Sequence, residues 1–162
     1  MKLTNEKQLK MDKHFLRLAW VTGMNLSKDP RTKVGAIIVT EDTRQVSIGY
    51  NGFPSKLKET PERWEKPLKY DYVIHAELNA IMNCPFDTKG AWLYCTHQPC
   101  HRCLEHLVNA GIKRVVYNRV YRSLTHKDIW DEVSNLFDEV LQIDDEQIDK
   151  IIAAYGYDDL AY

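Results

Sequence analysis

Four side chains that can bind a metal or move a proton stand in two short motifs of the sequence. The first motif is an HAE tripeptide that begins at His75, and the second is a PCHRC pentapeptide that ends at Cys103. His75, Cys100 and Cys103 are ligand types that zinc prefers, and three protein ligands leave one coordination position for water. Glu77 is not needed as a ligand and is available as a general base. The two motifs therefore predict a catalytic zinc site with about one ion per chain.

The spacing within each motif predicts that both stand at the start of a helix. Cys100 and Cys103 are three residues apart, so they share one face of a helix. Pro99 suits a first helical turn, where a missing N–H costs nothing. The positive end of a helix favours the thiolate, which is the form that binds metal. His75 and Glu77 would diverge on a mid-helix surface, so they can serve one metal only at a helix N-terminus.

Other interpretations of the cysteines remain open at this point. A Cys-x-x-Cys pair also occurs in structural zinc modules and in redox pairs. Neither of these needs Glu77, so a carboxylate beside the ligand set favours a catalytic site. Cys84 and Cys95 are left over, and they could form a disulfide. We favour buried free thiols, which indicates a reducing cytoplasm.

Composition and charge limit the class of protein. The chain has 162 residues, 44% hydrophobic and 28% charged, with a net charge of −1, which predicts a single globular domain over 1–162. A net charge near zero provides no overall attraction to nucleic acid or to a membrane surface. The polar N-terminus lacks the apolar core of a signal peptide, and no apolar run is long enough to span a membrane.

The hydrophobic pattern predicts alternating helices and strands around the two motifs. Predicted helices cover 10–28, 75–83, 100–110, 128–138 and 146–155, and predicted strands cover 34–40, 46–49, 91–96, 113–117 and 139–143. This order indicates an α/β layer fold with a five-stranded mixed sheet whose last two strands are parallel. Residues 55–71 form a long polar segment without clear periodicity, which is typical of a functional or a disordered loop. Trp64 and Tyr70 favour some order there.

The motifs together resemble those of the deoxycytidylate (dCMP) deaminases in the cytidine deaminase superfamily. An H-x-E…P-C-x-x-C pattern is the signature of the zinc deaminases, and the GYNGFP and HAELNAI motifs are more specific to the dCMP-acting family. The resemblance covers roughly residues 10–122. Its motifs are SKDP at 27–30, VGA at 34–36, GYNGFP at 49–54, HAELNAI at 75–81, PCHRC at 99–103 and AGIK at 110–113.

The resemblance implies a fold, a reaction and a set of site residues. The fold is the three-layer α/β/α arrangement of cytidine deaminases, and the reaction is hydrolysis of dCMP to dUMP and ammonia, which supplies dUMP for dTMP synthesis. His75, Cys100 and Cys103 match the zinc ligands, and Glu77 matches the proton shuttle. The implied substrate contacts are Gly35, Ala36 and Ala76 near the base, Asn51 on a sugar hydroxyl, the Gln98 carbonyl near the leaving amino group, and Tyr121, eighteen residues after Cys103.

The chain departs from the family pattern in two places. Gln98 stands where small or aromatic residues are commoner, although a backbone carbonyl does not depend on the side chain. Some members bind a second, structural zinc upstream of the HAE motif. In this sequence His14 is the only upstream candidate and no cysteine precedes Cys84, so we expect no second zinc.

The resemblance also implies regulation in a homo-oligomer, the hexamer of the family, with dCTP as activator and dTTP as inhibitor. Lys28, Arg31 and Lys33 could neutralise a triphosphate, and the Asn51–Gly52 turn would connect that site to the sugar contact. The same three cations are also the candidate site for the phosphate of the substrate. A deaminase of free nucleosides, which is an alternative function, would not need such a site.

A nucleic-acid deaminase should carry a basic stripe or a stacking platform, and the acidic residues of 55–71 argue against it. An interaction domain held together by zinc remains the alternative outside enzymes.

Overall fold

The computed structural model describes residues 5–121 and 124–157. The polar start of the chain falls partly on residues 1–4, outside these ranges. Within them the helices are α1 (Asn5–Leu26), α2 (Lys69–Tyr72), α3 (Ala76–Met82), α4 (His101–Asn109), α5 (Lys127–Ser134) and α6 (Glu146–Ala154), and the strands are β1 (Gly35–Val39), β2 (Val46–Tyr50), β3 (Trp92–His97), β4 (Arg114–Arg119) and β5 (Glu139–Gln142). None of the described helices is both long and apolar enough to cross a bilayer.

The strands form one mixed sheet in the order β2-β1-β3-β4-β5. β1 pairs antiparallel with β2 and with β3, whereas β3, β4 and β5 run parallel. Helix α4 connects β3 to β4 and α5 connects β4 to β5, as parallel neighbours require. The predicted five-stranded mixed sheet with parallel last strands is confirmed, and the parallel part extends to β3.

Helices cover both faces of the sheet because its strands alternate their apolar side chains. Ile37 and Tyr94 point to one core with α1 and α6, whereas Ile38 and Leu93 point to the other with α3 and α4. Helix α5 packs mainly against α4. The predicted three-layer α/β/α arrangement is therefore confirmed.

Two glycines let helices lie directly on the sheet backbone. A Cβ atom on Gly35 would lie 1.9 Å from the carbonyl oxygen of Ala19 in α1. A Cβ atom on Gly49 would lie 2.1 Å from the carbonyl oxygen of Ala76, at the first turn of α3. Such distances are impossible between real atoms, so a side chain at either position would push the helix away. Gly49 thereby sets the position at which α3 begins.

The structure differs from the sequence prediction mainly at element ends and in 55–71. Helix α1 begins at Asn5 rather than at residue 10. The hydrophobic pattern did not reveal its first turns because they are exposed and carry little apolar periodicity. The predicted helix over 128–138 is wrong at its end: α5 stops at Ser134 and Leu136 is 67% exposed. The chain leaves the helix there because the Asp138 N–H bonds to the carbonyl of Lys113 and leads into β5.

The polar 55–71 segment is ordered against the rest of the domain. It contains a short 3-10 helix at Pro61–Trp64 and runs into α2. Trp64 is buried, and its ring stacks on that of Phe53 with centroids 4.0 Å apart. The expectation of order is therefore confirmed for Trp64, whereas Tyr70 is 57% exposed. Through Trp64 the segment holds the GYNGFP loop from one side.

Candidate active site

Both metal-binding motifs stand at helix N-termini. His75 is the N-cap residue of α3, and Cys100 is the N-cap residue of α4. Cys103 follows within the first turn of α4, and its backbone N–H donates to the Cys100 sulfur at 3.4 Å. Pro99 precedes the N-cap, so its predicted place inside the first turn is wrong. The sequence argument that His75 and Glu77 require a helix start is confirmed.

The side chains of the three predicted ligands converge on one point. Their ligand atoms all lie within 4.8 Å of one another. The Nδ1 atom of His75 is 3.3 Å from the Cys103 sulfur and 3.7 Å from the Cys100 sulfur. Around a tetrahedral zinc the nitrogen–sulfur separation is about 3.6 Å. One imidazole and two thiols at these separations therefore fit a zinc ion with an open fourth position.

Hydrogen bonds among these side chains shift their pKa values. The bond with Cys103 lowers the pKa of Cys100 to about 4, and the bond with Cys100 raises the pKa of His75 to about 9. The same thiol pair raises the pKa of Cys103, because the proton is held between the two sulfurs. One of the two thiols is therefore already a thiolate at neutral pH. A metal must displace protons from the other thiol and from the imidazole.

Glu77 lies beside the ligand group in a buried position. Its side-chain oxygens are 3.5 Å from the sulfur of Cys95 and 3.6 Å from that of Cys103. Burial raises the pKa of Glu77, because the charged form loses solvation. Burial likewise raises the pKa of Cys95, which remains a thiol and donates to Glu77. The sequence marked Cys95 only as a free thiol, and its contact with Glu77 could not be found from the motifs.

A cavity of about 150 Å³ opens above the ligand group. The predicted site residues that line it are His75, Cys100, Glu77, Asn51, Ala76, Gln98 and Tyr121. Gly35 and Ala36 do not belong to its wall, whereas their neighbour Val34 does. The N–H of Gly35 donates to the Thr96 hydroxyl at 3.2 Å. The contact of Gly35 and Ala36 with the cytosine ring stays a prediction that this geometry does not support directly.

Asn51 is held by four hydrogen bonds within the protein. Its Nδ2 donates to the Thr32 carbonyl at 2.8 Å and to Asp29 at 3.3 Å. Its Oδ1 accepts from the Ser27 hydroxyl at 2.7 Å and from the Val34 N–H at 2.9 Å. This uses the full capacity of a carboxamide. A sugar hydroxyl must therefore replace one of these partners, and the contact with Asp29 is the longest of the four. The sugar contact itself stays a prediction.

Gln98 has a positional role that explains its unusual side chain. Its backbone N–H donates to the carbonyl of Arg119 at 2.8 Å, and its Oε1 accepts from the N–H of Tyr121 at 3.1 Å. A small residue could not make the second bond. Trp130 supports the same turn from α5, because its indole N–H donates to the Pro99 carbonyl at 2.8 Å. The turn before Cys100 is therefore fixed from two sides.

The GYNGFP loop is joined directly to the segment that carries His75. Gly52 and Ile74 exchange two backbone hydrogen bonds, of 3.1 and 2.8 Å. The Asn79 side chain also donates to the Tyr50 carbonyl at 2.8 Å. Gly52 was predicted in a turn of an effector site, whereas the structure pairs it with Ile74, the residue directly before His75. The loop is therefore connected directly to the residue that precedes His75.

Sequence reasoning missed the cavity residues of the 55–71 segment. Lys66, Lys69 and Tyr70 line the wall. Lys69 forms a buried ion pair with Asp29, with 2.5 Å between nitrogen and oxygen. The only available signal was two lysines close before His75 in a long loop, and no periodicity indicated that this loop folds back over the site.

The predicted effector cations lie outside the cavity wall. Lys28 forms an ion pair with Glu59 at 3.3 Å, and Arg31 forms one with Glu65 at 3.1 Å. The Lys33 ammonium donates to the carbonyl of Ser27. The ion pairs of Lys28 and Arg31 connect residues 28–31 to the 55–71 segment across the surface. As a site for the substrate phosphate, this cluster is therefore poorly placed.

Comparison with known proteins identifies a domain family. The family model described as "Cytidine and deoxycytidylate deaminase zinc-binding region" matches residues 9–119. A probable deoxycytidylate deaminase of Caenorhabditis elegans is 42% identical over 114 residues, which are 67% of this chain and 57% of the relative. Human deoxycytidylate deaminase is 39% identical over 116 residues, 67% of this chain and 65% of the relative. The chain thus spans less than two thirds of these curated relatives.

A solved structure has the same fold. The dCMP deaminase of cyanophage S-TIM5, crystallised in complex with dCMP and dUMP, superposes with a TM-score of 0.64 at 29% sequence identity. The match covers 88% of this chain and 100% of the phage chain. The cytidine deaminase-like architecture is therefore shared over nearly the whole chain.

The ligand geometry predicts how the chain takes up zinc. At pH 7 the metal-free protein should bind about one zinc per chain and release about two protons, one from His75 and one from Cys103. The pKa of His75 is raised to about 9 and that of Cys103 is raised above its usual value, so both groups are protonated at that pH. Apparent affinity should therefore rise between pH 6 and pH 8. Metal analysis measures the zinc content, and a pH indicator in weak buffer measures the protons released.

The control for zinc uptake is another cysteine of the same chain. Cys100→Ser combined with Cys103→Ser should abolish tight binding, whereas Cys84→Ser should bind as the parent does. Two tightly held zinc ions per chain, or full zinc content in the double variant, would contradict the assignment of the site.

Proposed function

The chain belongs to the family of cytidine and deoxycytidylate deaminases, and on this premise we propose that it is a hydrolase that converts dCMP and water into dUMP and ammonia. The observation that carries the proposal is one cavity lined by a buried carboxylate and by members of a His/Cys/Cys group. A structural zinc module has no need of Glu77 beside its ligands. The reaction would supply dUMP for dTMP synthesis.

The residues around the cavity provide the parts that hydrolytic deamination requires. Zinc held by His75, Cys100 and Cys103 would supply a water molecule of lowered pKa, towards roughly 7. Glu77 takes a proton from the water and delivers it to N3 of the cytosine ring, while the resulting hydroxide forms a bond to C4. Glu77 then moves the proton of the new C4 hydroxyl to the exocyclic nitrogen. The bond between C4 and that nitrogen breaks, ammonia leaves, and a uracil ring remains. General acid–base help of this kind contributes roughly 10²- to 10⁴-fold to the rate.

The environment of Glu77 suits a group that must both accept and give a proton. Burial raises its pKa, so the protonated form is easier to reach than in an exposed glutamate. The Cys95 thiol donates to one of its oxygens and holds the carboxyl group in position. Ala76 lies between Glu77 and His75 on the cavity wall, so we assign the cytosine ring of the substrate to this end of the cavity.

A panel of cytosine substrates tests the proposed function. With zinc-loaded protein, kcat/KM for dCMP should exceed that for deoxycytidine by at least about tenfold, because a site that pairs a phosphate loses those contacts with the nucleoside. CMP, dCTP and single-stranded DNA complete the panel, and ammonia release gives the rate.

Each alternative function has its own outcome in this panel. Equal kcat/KM values for dCMP and deoxycytidine would move the assignment to the nucleoside deaminases. A preference for single-stranded DNA would indicate a deaminase of nucleic-acid bases. A zinc-loaded chain that releases ammonia from no substrate would be a binding domain, and the proposal would be wrong.

We further propose that the enzyme is a cytoplasmic homo-oligomer, a hexamer as the family resemblance implies, that dCTP activates and dTTP inhibits. The ion pairs of Lys28 and Arg31 are exposed and contribute only about 0–1 kcal/mol each. A triphosphate can therefore compete with Glu59 and Glu65 for these cations. Such competition would loosen the 55–71 segment, whose lysines line the substrate cavity. A reducing cytoplasm suits the two thiol ligands.

The dependence of rate on dCMP concentration tests this regulation. The curve should be sigmoidal alone, hyperbolic with dCTP, and shifted to higher dCMP with dTTP, within the roughly 5- to 150-fold range of typical coupling. Lys28→Ala combined with Arg31→Ala should weaken both responses and leave the zinc content unchanged. Lys127→Ala removes an exposed ion pair on α5 and serves as the control. Hyperbolic kinetics indifferent to both triphosphates, in a chain that sediments as a monomer, would contradict the proposal.

A further inference from the structure

Two lysines line the cavity beside the metal ligands and Glu77. Lys66 and Lys69 both come from the segment that folds back over the site. Positive charge on a cavity wall attracts an anionic part of a ligand. The two lysines differ in how far their charges are already neutralised, and this difference decides which of them is available to a ligand.

Lys69 is committed to the protein. Its ammonium lies 2.5 Å from Asp29, and their side chains are only 8% and 1% exposed. The other oxygen of Asp29 accepts the backbone N–H groups of Arg31 and Thr32, at 2.9 and 3.1 Å. Removing one partner of such a buried pair leaves an uncompensated charge, which is strongly unfavourable. Lys69 therefore holds the loop in place and has little net charge to offer.

Lys66 has no carboxylate partner at ion-pair distance in the described part of the chain. It is exposed, and its ammonium lies 5.8 Å from the centre of the Tyr70 ring, which places it above the aromatic face. It is also close to Tyr121: burial raises the pKa of that hydroxyl, and the charge of Lys66 acts in the opposite direction. An uncompensated cation thus lies on the cavity wall that also carries Tyr70 and Tyr121.

We propose that Lys66 is the residue that selects nucleotides over nucleosides, by pairing with the 5′-phosphate of the substrate. The proposal rests on the proposed function for the base end of the cavity. A phosphate monoester carries between one and two negative charges at neutral pH and accepts strong hydrogen bonds from an ammonium group. The cations Lys28, Arg31 and Lys33 do not belong to the cavity wall. Lys66 is the one lysine among the described wall residues without an acidic partner.

The product and its nucleoside provide a test that does not depend on turnover. In zinc-loaded protein, Lys66→Met should raise the Kd of dUMP by roughly 10- to 100-fold, since a hydrogen bond to a charged group is lost. The Kd of deoxyuridine should stay the same. Lys66→Arg keeps the charge and should restore most of the affinity for dUMP. Lys58→Met, in the same segment but away from the cavity wall, should bind both ligands as the parent does. Titration calorimetry gives all values.

Steady-state rates separate this inference from the proposed function. The ratio of kcat/KM for dCMP over deoxycytidine should fall in Lys66→Met by the same factor as the affinity for dUMP. An unchanged ratio of Kd values for dUMP and deoxyuridine would overturn the role of Lys66. An equal loss for both ligands would also overturn it, because it would show a structural effect. If no cytosine substrate is deaminated but dUMP binding still depends on Lys66, the proposed reaction fails and the phosphate contact stands.

Discussion

The candidate site depends on one constraint: two helices from different parts of the chain must begin at the same point. His75 caps α3 and Cys100 caps α4, so the ligand atoms come together only where these N-termini meet. The close approach of α3 to Gly49 fixes one helix on the sheet. The parallel β3–α4–β4 crossover fixes the other. Both helix ends also favour the thiolate and carboxylate groups that the chemistry uses.

A second layer of contacts surrounds this meeting point and gives the cavity its shape. Asp29 binds Lys69 and two backbone N–H groups, and it contacts Asn51 as well. Gly52 is bridged to Ile74. These contacts connect the GYNGFP loop, the residues before β1 and the 55–71 segment to the residues just before the metal ligand. The proposed substrate contacts and the surface cations therefore lie on one connected set of loops.

The sequence was informative wherever the chemistry depended on short-range spacing. The strands, the layer arrangement and the convergence of the candidate ligands beside Glu77 could be predicted because each follows from a local pattern or a helix start. The wall lysines could not, because the ion pair between Lys69 and Asp29 joins residues far apart in the chain. The contact of Cys95 with Glu77 escaped for the same reason. The exposed end of the predicted 128–138 helix shows that apolar spacing alone does not reveal where a helix ends.

The most direct test of the account is the zinc content and turnover of Glu77→Gln, measured on the same purified preparation. The amide keeps the shape of the side chain but carries no proton between water and the base. The account predicts that this variant retains about one zinc per chain, while kcat on dCMP falls by at least about 10²- to 10⁴-fold. Loss of zinc from the variant, with residual activity in proportion to the metal that remains, would contradict it, because Glu77 would then be a ligand rather than the proton carrier.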